Sequence, residues 1–348
     1  MLYFVQIAQA FEESAVKELK SMARFRLVDR SLNNLIIETK ADLAKKFRSK
    51  NPTFIYCAFP IAVSGRISGK YAESIYALLL KAIYKSKITS GEVIKLECFD
   101  INSRRGYSAK DLEVLFGTRL IKDGYRADLL NPDRLVYLVL MNERCYVGQA
   151  SWESLKPKEL NPLRRYSQQS HTSRAEVKLA MAFEAFSIKQ RGLAIDLGAA
   201  PGGWSKFLAL NGFKVIAVDN AYLDYKSLKA AGLSLKKAKN PKEIAGAYGI
   251  IHFKSNAGSF LKELKCIRVD LLANDMNMDS LSSSEIAAKY AKFMRKGATL
   301  IMTIKCMSRN APLYIRQAKK ALSKEFLIKG IKALPANRQE LTLYGIKK

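Results

Sequence analysis

Hydrophobic patterns of two periods alternate through the first 60 residues of the chain. Residues 3–8 alternate apolar and polar side chains, as a half-buried strand does. Residues 12–22 place their alanine, valine and leucine side chains on one helical face, and residues 35–38 favour another strand. These patterns predict a small α+β module over residues 1–61.

A second set of patterns follows between residues 62 and 150. Ser108 and Asp111 have the spacing of a capping box, which predicts that a helix begins there. An Asn-Pro-Asp turn at 131–133 precedes two apolar runs separated by a short polar reversal. The predicted strands cover residues 94–99, 135–140 and 145–147. We therefore expect a second α+β module over residues 62–150.

The second half of the chain differs in kind. Residues 151–173 are polar, with several prolines and basic side chains, and are interpreted as a linker. Beyond them, the spacing is that of βαβ units, which predicts a doubly wound, Rossmann-like α/β sheet over residues 174–348. The predicted strands are 193–197, 215–218, 249–253, 269–273, 298–304, 327–333 and 341–346, and the predicted helices are 175–190, 203–211, 283–295 and 311–322.

The net charge of the chain indicates the class of molecule that it binds. The 348 residues carry a net charge of +28, which attracts polyanions and makes nucleic acid the first partner to consider. No apolar run approaches the roughly 18 residues of a membrane span, and the amino terminus lacks a signal-peptide pattern, so we expect a cytoplasmic protein with no membrane partner. Five scattered cysteines and two histidines favour neither a disulfide framework nor a metal site.

The most informative stretch is residues 194–204, an apolar strand that ends in a glycine-rich turn and opens a helix. Asp219, at the end of the next strand, stands where a carboxylate meets ribose hydroxyls. The turn has neither the spacing of a nucleoside-triphosphate P-loop nor that of a dinucleotide site. S-adenosylmethionine, which has no phosphate and carries a positive sulfonium, fits this acidic turn best.

The run Asp-Leu-Gly-Ala-Ala-Pro-Gly-Gly-Trp at 196–204 closely resembles the first motif of the FtsJ family of RNA ribose 2′-O-methyltransferases. The resemblance implies S-adenosylmethionine as cofactor. The implied cofactor-binding residues are Ser173, Asp196, Gly198, Ala200, Pro201, Gly202, Gly203, Trp204, Asp219, Asn256 and Asp275. Residues 252–257 depart from the family pattern because they lack the acid near the adenine, and Asn256 is the expected substitute.

The same resemblance implies a catalytic Lys-Asp-Lys-Glu tetrad, assigned here to Lys178, Asp275, Lys305 and Glu340. Because a ribose 2′-OH is a poor nucleophile, Lys305 is assigned as its base or its orienting group. A basic role requires a lowered lysine pKa, which burial and Lys178 favour and the two acids oppose. Asp275 would bridge Lys305 to the cofactor side, while Lys178 and Glu340 would help to place the ribose.

Two other acceptor chemistries lack their motifs. Transfer to an exocyclic base amine commonly uses an Asn/Asp-Pro-Pro-aromatic turn, but the corresponding residues 274–277 read Asn-Asp-Met-Asn. Transfer to a pyrimidine C5 needs a cysteine nucleophile in a Pro-Cys context, and no cysteine here follows a proline. Cys306 follows Lys305 and would point away from it along a strand. Ribose chemistry is favoured.

Residues 62–150 resemble a THUMP domain, an RNA-binding module of RNA-modifying enzymes, preceded by a ferredoxin-like module. The resemblance implies structured RNA as partner. Large-subunit ribosomal RNA is the expected substrate because family members with an amino-terminal THUMP domain modify it. A tRNA methyltransferase and a non-catalytic RNA-binding or ribosome-assembly factor are the alternatives. The candidate RNA-contacting residues are Arg104, Arg105, Lys110, Arg164 and Arg165.

Overall fold

The computed structural model describes residues 1–67, 71–101, 107–129, 131–151, 173–238, 249–265 and 267–348. The chain divides into two compact units, residues 1–160 and residues 161–348. Within the described ranges, no helix is long and apolar enough to cross a membrane. No group of three or more His, Cys, Asp or Glu side chains in these ranges is arranged to hold a metal ion.

The amino-terminal unit is built on one eight-stranded sheet. Its strands are β1 (Leu2–Ile7), β2 (Arg26–Ser31), β3 (Asn34–Glu38), β4 (Ile55–Arg66), β5 (Val93–Asp100), β6 (Arg126–Ala127), β7 (Arg134–Met141) and β8 (Arg144–Ser151), and its helices are α1 (Glu12–Met22), α2 (Leu43–Lys50), α3 (Tyr71–Lys85) and α4 (Ala109–Lys122). The strand order is β2-β3-β1-β4-β8-β7-β5-β6.

The long strand β4 joins the two modules expected from the sequence. Its first part pairs with β1, and its last part pairs with β8. The boundary expected between residues 61 and 62 therefore falls inside a strand, because one continuous ladder of backbone hydrogen bonds serves both modules.

The predicted start of α4 is confirmed. The Ser108 hydroxyl accepts the backbone N–H of Asp111, and the Asp111 carboxylate accepts the backbone N–H of Ser108. Two amide groups that the first helical turn cannot satisfy are thereby paired.

The carboxy-terminal unit is the predicted doubly wound α/β sheet, with helices on both of its faces. Its strands are β9 (Gly192–Leu197), β10 (Phe213–Asp219), β11 (Leu235–Ala238), β12 (Ile250–Lys254), β13 (Val269–Asn274), β14 (Met294–Lys305), β15 (Phe326–Lys332) and β16 (Glu340–Lys347). Its helices are α5 (Arg174–Ala185), α6 (Gly203–Leu210), α7 (Tyr225–Ala230), α8 (Ala257–Glu263), α9 (Ser280–Tyr290) and α10 (Ala311–Leu322).

The strand order of this unit is β11-β12-β10-β9-β13-β14-β16-β15. The strands from β11 to β14 are parallel, and β16 runs antiparallel between β14 and β15. The order reverses beside β9, and ligands of doubly wound sheets bind at the carboxyl ends of the strands next to such a reversal. The ends of β9, β10, β13 and β14 are therefore the place to look for a site.

Several elements have bounds that differ from the prediction. The helix expected at 175–190 is α5, which ends at Ala185, and the strand expected at 145–147 is the longer β8 (Arg144–Ser151). The helix expected at 283–295 is α9, which begins at Ser280 because the Asp279 side chain caps it and ends at Tyr290. The strand expected at 298–304 is β14, which already begins at Met294. The polar residues 295–297 hide this beginning because they break the apolar run.

Candidate active site

The four residues of the predicted tetrad lie together at one end of the sheet. Lys178 comes from the second turn of α5, and Asp275 directly follows β13. Lys305 is the last residue of β14, and Glu340 is the first residue of β16. Because β14 and β16 are antiparallel and Lys305 pairs with Glu340 in register, the two side chains are neighbours. We call these four residues the quartet.

Each lysine of the quartet contacts both carboxylates. Lys178 Nζ lies 2.9 Å from Asp275 Oδ2 and 2.7 Å from Glu340 Oε1. Lys305 Nζ lies 3.1 Å from Asp275 Oδ1 and 2.7 Å from Glu340 Oε2. Two cations and two anions form a closed ring, so the charges of the quartet balance.

Burial separates the two lysines. The Lys178 side chain is 4% exposed, whereas that of Lys305 is 23% exposed. Lys305 can therefore contact a substrate that enters from solvent, whereas the buried Lys178 contacts the two carboxylates from the protein side. The Lys178 ammonium also lies 5.8 Å from the centre of the Trp204 ring.

The protonation states follow from these contacts. Burial alone would raise the pKa of Asp275, but Lys178, Lys305 and the Thr303 hydroxyl outweigh it and hold this pKa below its ordinary value. Burial alone would lower the pKa of Lys305, but Asp275 and Glu340 outweigh it and raise this pKa. The lowered pKa that a neutral, basic Lys305 requires is absent, because the carboxylates dominate. Lys305 is an ammonium.

Thr303 belongs to the site and was missed in the sequence. Its hydroxyl donates to Asp275 Oδ1 at 2.7 Å, beside the two lysines. Residues two apart on a strand share a face, so the position of Thr303 relative to Lys305 was a usable signal. Ser280, at the start of α9, donates its hydroxyl to the backbone oxygen of Lys305 at 2.6 Å and fixes the end of β14.

The glycine-rich turn lies at the end of β9, next to the quartet. Gly198 has a φ of +76°, and a Cβ there would come within 2.8 Å of the Met276 backbone. Gly203 begins α6, and a Cβ there would come within 2.5 Å of Ser173 Oγ. These close approaches bring the turn against the residue after Asp275 and against the start of α5. Ala200 and Pro201, joined by a cis peptide bond, and Gly202 complete a turn with small side chains.

Asp196 is fully buried beneath this turn. Its Oδ2 accepts a hydrogen bond from Ser205 Oγ at 2.7 Å, and its Oδ1 has no hydrogen-bond partner among the described residues. Burial raises the pKa of Asp196 to about 7, with Asp275 and Asp219 adding to the rise and Ser205 opposing it. An unsatisfied buried carboxylate oxygen favours a ligand that carries positive charge.

Asp219 ends β10 and is tied to the same turn. One carboxylate oxygen accepts the backbone N–H of Ala200 at 3.0 Å, and the other accepts that of Ala221 at 2.7 Å. The remaining lone pairs are free to accept hydroxyl groups, since each oxygen has two.

Ser173 and Asn256 both cap helices. Ser173 Oγ accepts the backbone N–H of Glu176 at the start of α5, and Asn256 Oδ1 accepts that of Ser259 at the start of α8. Capping alone accounts for the presence of asparagine at 256. The role of Asn256 at an adenine stays a prediction.

Of the predicted RNA-contacting residues, Lys110 is exposed in the first turn of α4. Arg104, Arg105, Arg164 and Arg165 lie outside the described residues.

Comparison with known families agrees with this geometry. Residues 171–327 match the family model of the FtsJ-like methyltransferases. This part of the chain is therefore similar to the FtsJ-like methyltransferases. The match confirms the resemblance found in the motif at 196–204, and it includes Lys178, Asp275 and Lys305.

The chain matches less than half of the length of each of the following curated relatives. Ribosomal RNA large subunit methyltransferase M of Shewanella denitrificans is 29% identical over 163 residues, which cover 43% of this chain and 44% of the relative. The protein of the same name from Laribacter hongkongensis is 42% identical over 82 residues, covering 21% and 23%. An uncharacterized protein of Methanocaldococcus jannaschii is 29% identical over 152 residues, covering 42% and 37%.

Proposed function

We propose that the chain is an S-adenosylmethionine-dependent RNA ribose 2′-O-methyltransferase. The observation that carries this proposal is the quartet, which puts one partly exposed ammonium, Lys305, beside the glycine-rich turn of an FtsJ-like methyltransferase domain. The quartet offers polar groups that can orient a hydroxyl.

The residues of the turn fit S-adenosylmethionine. The unsatisfied Asp196 oxygen suits its positive charge, and Asp219 suits its ribose hydroxyls. Only small side chains occupy the turn, so backbone N–H groups can approach the ligand. When bound, S-adenosylmethionine supplies an electrophilic methyl group.

Lys305 orients the acceptor rather than acting as a free amine. Its ammonium can hold the 2′-oxygen in line with the methyl group, and orientation contributes much of the rate in such transfers. The hydroxyl proton passes to Lys305 Nζ as Lys305 passes one of its own to Glu340 Oε2, 2.7 Å away. Asp275 stays ionised because its pKa is depressed, so it keeps Lys305 in place.

The site is less suited to methyl transfer to a base amine or to a pyrimidine carbon. The Asn274 side chain is fully buried and donates to the backbone oxygen and hydroxyl of Ser283, which removes it from contact with a base amine. Burial, with a contribution from Glu340, raises the pKa of the buried Cys306 thiol, which disfavours the thiolate needed for attack on a pyrimidine.

The proposed substrate is large-subunit ribosomal RNA, with tRNA as the second candidate. The names of the curated relatives support the first, and the net charge of +28 supports RNA in general. The amino-terminal unit, with its expected THUMP character, would hold structured RNA. Lys110 is an exposed candidate contact there.

The test is methyl transfer from labelled S-adenosylmethionine to separated, unmodified ribosomal RNA and tRNA, followed by nucleoside analysis. A 2′-O-methylated nucleoside from the large ribosomal RNA is the expected product. The same product from tRNA alone would mean that tRNA is the substrate and would leave the proposed ribose chemistry unchanged. A base-methylated product would overturn the role of the quartet, and cofactor binding without transfer would favour a non-catalytic RNA-binding factor.

A further inference from the structure

A cluster of aromatic and basic side chains lies at the other end of the same sheet edge. It consists of Tyr222, which follows β10, Tyr225 in α7, Lys237 in β11 and Lys254 at the end of β12. We call these four residues the tyrosine platform. Tyr222 is 60% exposed, and both lysines are exposed.

The two lysines lie over the tyrosine rings. Lys254 Nζ is 4.0 Å from the centre of the Tyr222 ring, and Lys237 Nζ is 4.7 Å from that of Tyr225 and 5.4 Å from that of Tyr222. In the described part of the chain, neither ammonium forms an ion pair with a carboxylate. Their charges are therefore available to an anion from solvent, unlike those of the quartet.

The platform rests on a buried histidine. His252 is 2% exposed, and its Nδ1 lies 2.6 Å from the Tyr225 hydroxyl. The Tyr222 ring stands edge-on to the His252 ring, with centroids 6.5 Å apart. Burial lowers the pKa of His252, so this support is uncharged and adds no repulsion between the lysines. The rings are held in place before any ligand arrives.

We propose that the tyrosine platform binds a nucleotide of the RNA substrate, stacking its base on Tyr222 and pairing its phosphates with Lys237 and Lys254. Exposed aromatic rings interleaved with lysines are the combination that binds single-stranded nucleic acid. S-adenosylmethionine has no phosphate, so two lysines beside an exposed aromatic ring favour a strand of RNA over the cofactor. This inference rests on the proposal that the substrate is RNA.

The position of the platform fits an RNA strand that follows the sheet edge. From β12 to β14 there are four strand intervals through β10, β9 and β13. At ~4.8 Å per interval, the platform and Lys305 are on the order of 20 Å apart. The nucleotide held on Tyr222 is therefore not the target nucleotide but one further along the strand.

The test measures RNA binding and needs no turnover. The probe is a fluorescein-labelled single-stranded oligoribonucleotide of about ten nucleotides, titrated into the full chain at ~0.3 M salt, where unspecific phosphate contacts weaken. Tyr222→Ala should weaken binding about tenfold, whereas Tyr222→Phe, which keeps the ring, should bind within twofold of the unmodified chain. Affinity for S-adenosylmethionine, measured by calorimetry, should be unchanged in both.

The lysines are tested by salt dependence. Lys254→Gln should reduce the slope of log affinity against log salt by about one. Lys320→Gln is the matched control, because this exposed lysine lies in the last turn of α10 and so at the opposite edge of the sheet from the ends of the parallel strands. With an abasic oligonucleotide, Lys254→Gln should still reduce the salt slope, because the phosphates remain. Tyr222→Ala should no longer weaken binding, because no base is left to stack on the ring.

Two results would overturn the proposal. One is RNA binding by Tyr222→Ala equal to that of the unmodified chain, together with no cross-link from a 4-thiouridine-substituted strand to residues 219–226. The other is loss of S-adenosylmethionine binding with RNA binding intact, which would assign the platform to the cofactor. RNA binding through Tyr222 in a chain without methyl transfer would uphold the platform and refute the proposed function.

Discussion

The lysine side chains at the two ends of this sheet edge lie in opposite environments. Near the ends of β13 and β14, Lys178 and Lys305 are enclosed by two carboxylates, whereas Lys237 in β11 and Lys254 at the end of β12 lie exposed over tyrosine rings. Paired charges fix geometry at some cost of desolvation, while unpaired charges attract a polyanion. One strand of RNA can use both, because placement of a single ribose and capture of the chain are different tasks.

The largest expected effect is at the exposed lysine of the quartet. Lys305→Ala should keep S-adenosylmethionine binding and lower kcat about 10²- to 10⁴-fold, because it removes the group that orients the 2′-OH. Single-turnover methyl transfer measures this. Lys347→Ala is the matched control, since Lys347 pairs with Glu325 at the other end of β16. Normal turnover by Lys305→Ala would refute the mechanism.

Lys178 should matter more for folding than the more exposed Lys347 does. Lys178→Met should lower the free energy of unfolding by about 3–5 kcal/mol, because it leaves two buried carboxylates with a single cation. Urea unfolding followed by Trp204 fluorescence, in a Trp152→Phe background, measures the change. Lys347→Met should cost less than about 1 kcal/mol, as expected for a partly exposed pair. Equal losses at the two positions would mean that burial does not distinguish them.

Thr303 tests whether the quartet needs its hydroxyl partner. Thr303→Val keeps the shape but removes a hydrogen bond to a charged group, which is about 1.5–3 kcal/mol. We expect kcat to fall about tenfold with KM unchanged, and Thr303→Ser to restore it. If serine rescued nothing, Thr303 would be a packing residue only.

The smallest expected effect is that of pH. The raised pKa of Lys305 keeps it charged in the free protein until pH rises through a value above about 10.4, and the depressed pKa of Asp275 keeps it ionised until pH falls below about 3.9. At saturating S-adenosylmethionine, kcat should therefore stay flat between about pH 6 and 9, whereas the KM for the cofactor should rise as Asp196, whose pKa is raised to about 7, becomes protonated. A kcat that rises steadily with pH over this interval would mean that Lys305 must lose its proton, contrary to the orienting role.

The sequence predicted those features that depend on local pattern. Buried parallel strands such as β9 and β13 are mainly apolar, with one aspartate in each, and their predicted bounds lie within one residue of those observed. The tetrad was assigned by resemblance, and each of its members ends a strand, directly follows one, begins one or lies on the preceding helix.

Other features depend on packing that no local pattern reveals. Strand β2 was not predicted because most of its side chains are exposed, and the edge strand β11 has four residues with little apolar content. The sign of the Lys305 pKa shift depends on the distances to two carboxylates, and a sequence gives the opposing influences without their sizes. The tyrosine platform could not be predicted from the sequence, because Tyr222 and Lys254 are distant in sequence and come into contact only in the fold.

Strand β4 has a consequence for how the amino-terminal unit unfolds. Its 12 residues are hydrogen-bonded to β1 on one part and to β8 on the other. A fragment that begins at residue 62 would lack β1 and leave β8 with only the last part of β4 beside it, and the weakened sheet edge invites aggregation. Amide protons of β1 and β8 should therefore exchange with solvent in one cooperative event, since both depend on the same strand.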